Sequence, residues 1–173
     1  MLPFEDPSTP LQLLMACHER IDRYLGGLAA LADAPDLSTS EAVITARDVA
    51  RYLRLGLPLH GEDEDMSLAP RLRAALDDAA LEQALDQLVF EHAAMMEGMP
   101  RLLALLDAVV ARQEVDRSAL RERQRWLDAL LRGHVAFEEA EVFPVIDVLG
   151  RAEQEAIVRE IRARRGGAGV NEA

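Results

Sequence analysis

The chain has 173 residues, half of them apolar and only 4% aromatic, with a formal net charge of −12. That length suits one domain with a real core, and abundant Ala and Leu beside few aromatics favour helix over sheet. The acidic balance excludes nucleic acid and anionic membrane as partners, since both need a basic footprint.

Cys17 is the single cysteine, so there is no disulfide framework. The first residues lack the basic and apolar regions of a secretory signal, and no apolar run is long enough to span a bilayer. A soluble cytoplasmic protein is the expectation.

In chain order, Thr9 and Pro10 read as an N-cap and first helical residue. Leu11, Leu14, His18, Ile21, Leu25 and Leu28 then step by threes and fours, the seam of a bundle helix, with His18 on the apolar side. Residues 34–40 break the pattern and cap helix two, which carries Ala46, Val49, Leu53, Leu57, His60 and Glu64 on one side. Pro58 is expected to kink this helix beside His60. The helix is expected to end before Pro70, with a short piece covering Arg71 to Leu76.

Asp77 and Asp78 can cap helix three, whose seam runs through Leu81, Leu85, Leu88, His92, Met95 or Met96, Met99, Leu102 and Leu106, with a bend expected at Pro100. After a turn at Gln113 to Asp116, helix four carries Leu120, Leu127, Leu131, His134, Glu138, Val142 and Val145 and closes at Gly150. A fifth amphipathic helix spans about Ala152 to Arg164. The expected fold is all-α: an up-down-up-down antiparallel four-helix bundle with a short extra C-terminal helix. It forms one domain over residues 1–165, followed by a disordered tail at 166–173.

All four histidines belong to one internal repeat. The offsets 92 − 18, 134 − 60, 138 − 64 and 144 − 70 are each 74, pairing His18 with His92, His60 with His134, Glu64 with Glu138 and Pro70 with Pro144. In an antiparallel bundle the histidines meet at one level of the core. Glu64 and Glu138 share their faces, because residues four apart stack on a helix.

Unpartnered carboxylates in a core cost several kcal/mol each, roughly, or take up protons. Two cations, each taking imidazoles and bridged by the carboxylates, remove that cost. The mixed donors point to iron, with manganese or zinc as alternatives. Cys17 projects about a quarter-turn from His18 and offers no thiol. Neither the Glu-x-x-His spacing of ferritin-like bundles nor His-Glu-x-x-His is present.

The other conspicuous residues read as ordinary structure. Glu62, Asp63 and Asp65 form a solvated helix end whose charge favours cation approach, and Glu141 is likewise solvated. Met95, Met96 and Met99 are gap-filling core, with Met96 beside the site. Tyr24 and Tyr52 pack, Cys17 is a small buried residue, and Trp126 is core or interface.

The pieces His18; Leu57-Pro58-Leu59-His60 through Glu64 to Pro70; Glu91-His92; and His134 through Glu138-Glu139 to Phe143-Pro144 resemble the hemerythrin-like (HHE cation-binding) family. The resemblance covers about residues 10–150 and implies a di-iron centre in a four-helix bundle. The oxygen-carrying members have a further His where this chain has Met96, and place the helix-four carboxylate where it has Glu139. The four-His, two-Glu pattern is more similar to the branch holding the repair-of-iron-centres proteins and the iron-sensing domain of a ubiquitin ligase subunit. That similarity implies Glu64 and Glu138 as bridging ligands, with Glu139 as rival to Glu138, and argues against reversible oxygen carriage.

Three functions follow. The first is a non-haem di-iron protein that senses or handles oxygen, nitric oxide, peroxide or iron. The second is a di-iron oxidoreductase with peroxidase-like or nitric-oxide-consuming activity, and the third is a bundle with a purely structural metal. No general acid or base, cofactor motif or substrate pocket is legible beyond the ligands, which places binding ahead of turnover and leaves catalysis open. The oligomeric state is not legible.

Overall fold

A computed structural model describes residues 8–167; among them there is no strand. Helix α1 spans Pro10–Asp33 and opens with the expected cap. Thr9 Oγ1 accepts from the Gln12 N–H and Gln12 Oε1 accepts from the Thr9 N–H, both at 3.2 Å, so two N–H groups are satisfied reciprocally.

The second long helix is continuous but changes its winding twice. It comprises α2 (Ser40–Arg51), a π-helical segment Tyr52–Gly56, α3 (Leu57–Glu62), a second π-helical segment Asp63–Leu68, and α4 (Ala69–Ala75). Each wide segment precedes a proline. Pro58 cannot donate to the ladder and its ring crowds the carbonyl four residues back. The first π segment absorbs this, with the Leu57 N–H bonding the Tyr52 carbonyl five residues back. The second does the same before Pro70, with Ala69 bonding the Glu64 carbonyl. The expected stop before Pro70 is therefore corrected: the extra residue in the turn leaves room for the ring, and the helix runs on to Ala75.

Helix α5 (Ala79–Val110) is capped by Asp78, which accepts from the N–H groups of Ala80 and Leu81, and it continues through Pro100. It closes at Arg112, which takes the left-handed conformation (φ 55°) while Gln113 N–H returns to the Ala108 carbonyl. Helix α6 (Arg117–Glu141) is capped by Asp116. It stops nine residues before the expected Gly150 (150 − 141), because Phe143-Pro144 forces a 3-10 turn over Phe143–Val148. Gly150 instead opens α7 (Arg151–Gly167), its carbonyl accepting from Glu153 and Gln154. Of the expected tail, Gly166 and Gly167 end α7 and residues 168–173 lie outside the described residues.

Helix α1 packs on α2 and α6, and α5 packs on the same two, while α7 lies against α1 and the Asp63–Leu68 segment. The apolar core is split into two clusters. One holds Ile21, Leu28, Leu53, Leu57, Met95, Leu102, Leu127 and Leu131. The other holds Leu14, Leu68, Leu72, Leu88, Val142, Ile157 and Ile161. His18 falls between Leu14 and Ile21, His60 and Glu64 between Leu57 and Leu68, His92 between Leu88 and Met95, and His134 and Glu138 between Leu131 and Val142. A polar layer thus lies between two apolar ones, and the order of the clusters reverses from each of these helices to the next.

Candidate metal centre

The six side chains singled out from the repeat converge in that polar layer. His60 and His134 are 1% exposed, Glu138 is 0% and Glu64 2%. They fall into two groups whose nitrogen and carboxylate oxygen atoms lie close enough to hold a cation: His18, His60, Glu64 and Glu138, and Glu64, His92 and His134. Glu64 belongs to both. Its Oε1 lies 3.2 Å from His60 Nδ1 and its Oε2 lies 3.2 Å from His92 Nε2.

Three of the imidazoles are oriented by carboxylates behind them. The Nδ1–H of His18 donates to Glu139 (2.8 Å), that of His92 to Asp65 (3.0 Å) and that of His134 to Glu91 (2.8 Å). Since a carboxylate only accepts, each bond puts a proton on Nδ1 and turns Nε2 inward, where it is a bare acceptor in the neutral ring and a donor in a protonated one. His18 Nε2 then faces Glu138 at 3.1 Å, and the Nε2 atoms of His92 and His134 stand 3.1 Å apart. Phe143, from the Phe-Pro break, stacks on His18 with ring centroids 5.1 Å apart.

Glu138 and Glu139 thus separate. Glu138 is buried against the imidazoles, whereas the Glu139 side chain is 41% exposed and serves the far nitrogen of His18. Asp65 and Glu91 play the same part, which the sequence reading did not give them. Asp65 shares the repeat offset with Glu139 (139 − 65 = 74), the one signal that could have exposed it. His60 has no such carboxylate; the repeat mate of Glu91 is Cys17 (91 − 74), buried at 3% and accepting from Arg20 and Arg165 at 3.2 and 3.0 Å.

Asp63 corrects the reading of a solvated acidic end. Its side chain is wholly buried and lies 2.8 Å from Arg164 and 2.7 Å from Arg165 of α7. Glu62 and Glu141 are exposed, as expected. Met95 and Met99 are core, but Met96 is 45% exposed, at a groove beside His60 and His92 rather than in the core. Tyr24 and Tyr52 stack on each other in the apolar layer, centroids 4.1 Å apart.

The protonation of this layer is strained. Burial pushes the His60 pKa down to about 3, and lowers that of His134. Burial also works against protonation of His18, but its hydrogen bonds to Glu138 and Glu139 outweigh that and raise its pKa. Burial and the charge of Glu138 drive the Glu64 carboxyl well above the carboxylate range. Burial opposes ionisation of Glu138 too, yet the His18 hydrogen bond and the other imidazoles keep it ionised.

The hemerythrin HHE cation-binding domain matches residues 9–146, with a second, overlapping match over 83–166. The chain belongs to the hemerythrin HHE cation-binding family. A Haemophilus influenzae protein described only as uncharacterized is similar to this HHE domain, 25% identical over 134 residues that cover 75% of this chain and 74% of that protein.

The residues of this HHE domain fit a metal. Both nitrogens of His60, both oxygens of Glu64 and Glu138 Oε1 are buried with no hydrogen-bond partner. Orphaned buried polar atoms are rare in folded proteins. These share one cluster, and a cation there supplies the partner each lacks. The facing Nε2 lone pairs of His92 and His134 need the same relief.

Proposed function

We propose that this chain is a non-haem di-iron protein of the HHE family that senses or handles a small ligand: oxygen, nitric oxide or peroxide. His18, His60, Glu64 and Glu138 would hold one iron, and His92, His134 and Glu64 the other, with Glu64 bridging. Glu139, Asp65 and Glu91 orient the imidazoles rather than bind metal. The observation that carries this is the set of orphaned buried atoms on His60, Glu64 and Glu138.

Imidazole with carboxylate suits iron, and the absence of a thiol among the donors weighs against a structural thiolate zinc site. Bound iron supplies a Lewis-acidic centre able to change oxidation state. The chain's part is to keep three imidazoles in one tautomer, hold two carboxylates inside an apolar shell and limit water. The reversal of core clusters along successive helices supports an up-down-up-down antiparallel bundle, formed as one domain. No described helix is long and apolar enough to cross a membrane, and we place the protein in the cytoplasm.

The test is the visible spectrum of the iron-loaded protein on addition of oxygen, nitric oxide or peroxide, together with a turnover assay on wild type and His92→Ala. A spectral response without metal-dependent turnover supports binding or sensing. Metal-dependent turnover lost in His92→Ala moves the protein to the enzymes.

A further inference from the structure

Although the repeat makes the ligand layer close to two-fold, the two faces that flank it differ. On the α1/α6 face, Arg132 reaches Asp22 at 2.9 Å and Val135 packs against the apolar core. The repeat mates of these three residues are Pro58, Met96 and Gly61 (132 − 74, 22 + 74, 135 − 74). On that second face, between α3 and α5, the Arg132–Asp22 ion pair and the Val135 side chain accordingly have no counterpart at the mate positions. A groove of about 430 Å³ opens instead.

Its walls are Leu57, Pro58, Val89, Ala93, Met95 and Met96, and its buried floor is His60 and His92. Gly61 keeps the floor open: a Cβ there would lie 3.4 Å from His92 Cγ, and a longer side chain would extend over the ring. The volume falls in the range of about 300–1,000 Å³ that small-molecule sites occupy, far more than a diatomic needs. The polar groups beside the histidines are Glu62 and Asp65, and among the described residues no Lys or Arg lines the groove, so an anionic guest meets only like charge.

We infer that the α3/α5 groove binds a neutral organic molecule with an apolar body and a single oxygen head, an alcohol or hydroperoxide, whose body lies along the apolar walls and whose O–H donates to the Glu62 or Asp65 carboxylate beside the floor. The metal reading bears only on what the head meets at the floor; the groove itself is built by the protein.

Isothermal titration of metal-free and iron-loaded protein with cuminyl alcohol tests this, with cumate as the carboxylate of the same body. The alcohol binds wild type in both forms, and cumate binds the metal-free protein at least about tenfold more weakly. Gly61→Val and Ala93→Phe each weaken the alcohol at least about tenfold, whereas Ala136→Phe, at an exposed position on α6, does not. Ala93 is exposed, so its variant decides the matter if Gly61→Val does not fold. Equal binding by wild type and Ala93→Phe, or cumate as tight as the alcohol, overturns the inference. Iron uptake without alcohol binding overturns the groove alone; alcohol binding abolished by Ala93→Phe in a protein that takes up no iron upholds the groove and overturns the metal reading.

Discussion

Asp65 and Glu139, 74 residues apart, hold histidines on opposite sides of one buried layer: Asp65 accepts from His92 Nδ1 at 3.0 Å and Glu139 from His18 Nδ1 at 2.8 Å. Neither touches the inward nitrogens. Carboxylates in this position fix the tautomer and raise the basicity of the ligand. Asp65→Asn and Glu139→Gln are therefore expected to weaken iron binding by about 10–100-fold while leaving the stoichiometry unchanged. Competition with a chelator of known affinity measures this, and a change in stoichiometry would assign one of them to the metal instead.

Glu64 and Glu138 are expected to differ. Glu64 groups with imidazoles on both sides, whereas Glu138, although its Oε2 also lies 3.6 Å from His134 Nε2, groups with His18 and His60. Glu64→Ala lowers the occupancy of both positions, and Glu138→Ala chiefly one. Each His→Ala change at 18, 60, 92 and 134 also lowers metal content. Elemental analysis separates the cases; four histidine variants at full occupancy would refute the ligand set.

Metal uptake is expected to release protons. Burial and the Glu138 charge raise the Glu64 pKa, and the carboxylate hydrogen bonds raise that of His18 over the effect of burial. The metal-free protein therefore holds protons on both at a pH where free side chains have lost them. Ligation removes those protons, so apparent affinity rises with pH until both groups have titrated. His60, pushed down to about 3 by burial, is already neutral and contributes none. Calorimetry in buffers of different ionisation enthalpy counts the protons; affinity independent of pH between 5 and 8, roughly, contradicts this.

The Asp63 cluster should matter for stability. Asp63 is wholly buried between Arg164 and Arg165, and Arg164 also donates to Ser67 Oγ at 2.6 Å. Removing one cation leaves a partly compensated buried charge, so Arg165→Ala is expected to cost about 1–3 kcal/mol, below the 3–5 of a fully broken buried pair. Urea unfolding of the metal-free protein reads this directly. A loss within about 0.5 kcal/mol would put Asp63 in the class of surface pairs.

Much of this was legible because two periodicities coincide. The threes and fours that place Leu14, His18 and Ile21 on one face give the helix, and the 74-residue offset ties that face to the one bearing His92. The proline rule ends the second helix too early. A proline-based stop ignores the π turn, which needs only one extra residue and leaves no mark in composition. Local pattern puts Asp63 at the surface for a related reason: its cations sit about 100 residues on, in α7, and no local pattern joins Asp63 to Arg164 and Arg165. Asp65 and Glu91 escaped because a carboxylate behind an imidazole looks, in sequence, like any solvated acid.

The central claim is a two-iron centre, and metal titration tests it most directly. Metal-free protein is titrated anaerobically with ferrous iron, and the bound metal is counted per chain. The account predicts saturation at two irons per chain, falling below one in Glu64→Ala. Saturation at a single ion, or two ions retained in Glu64→Ala, would contradict it.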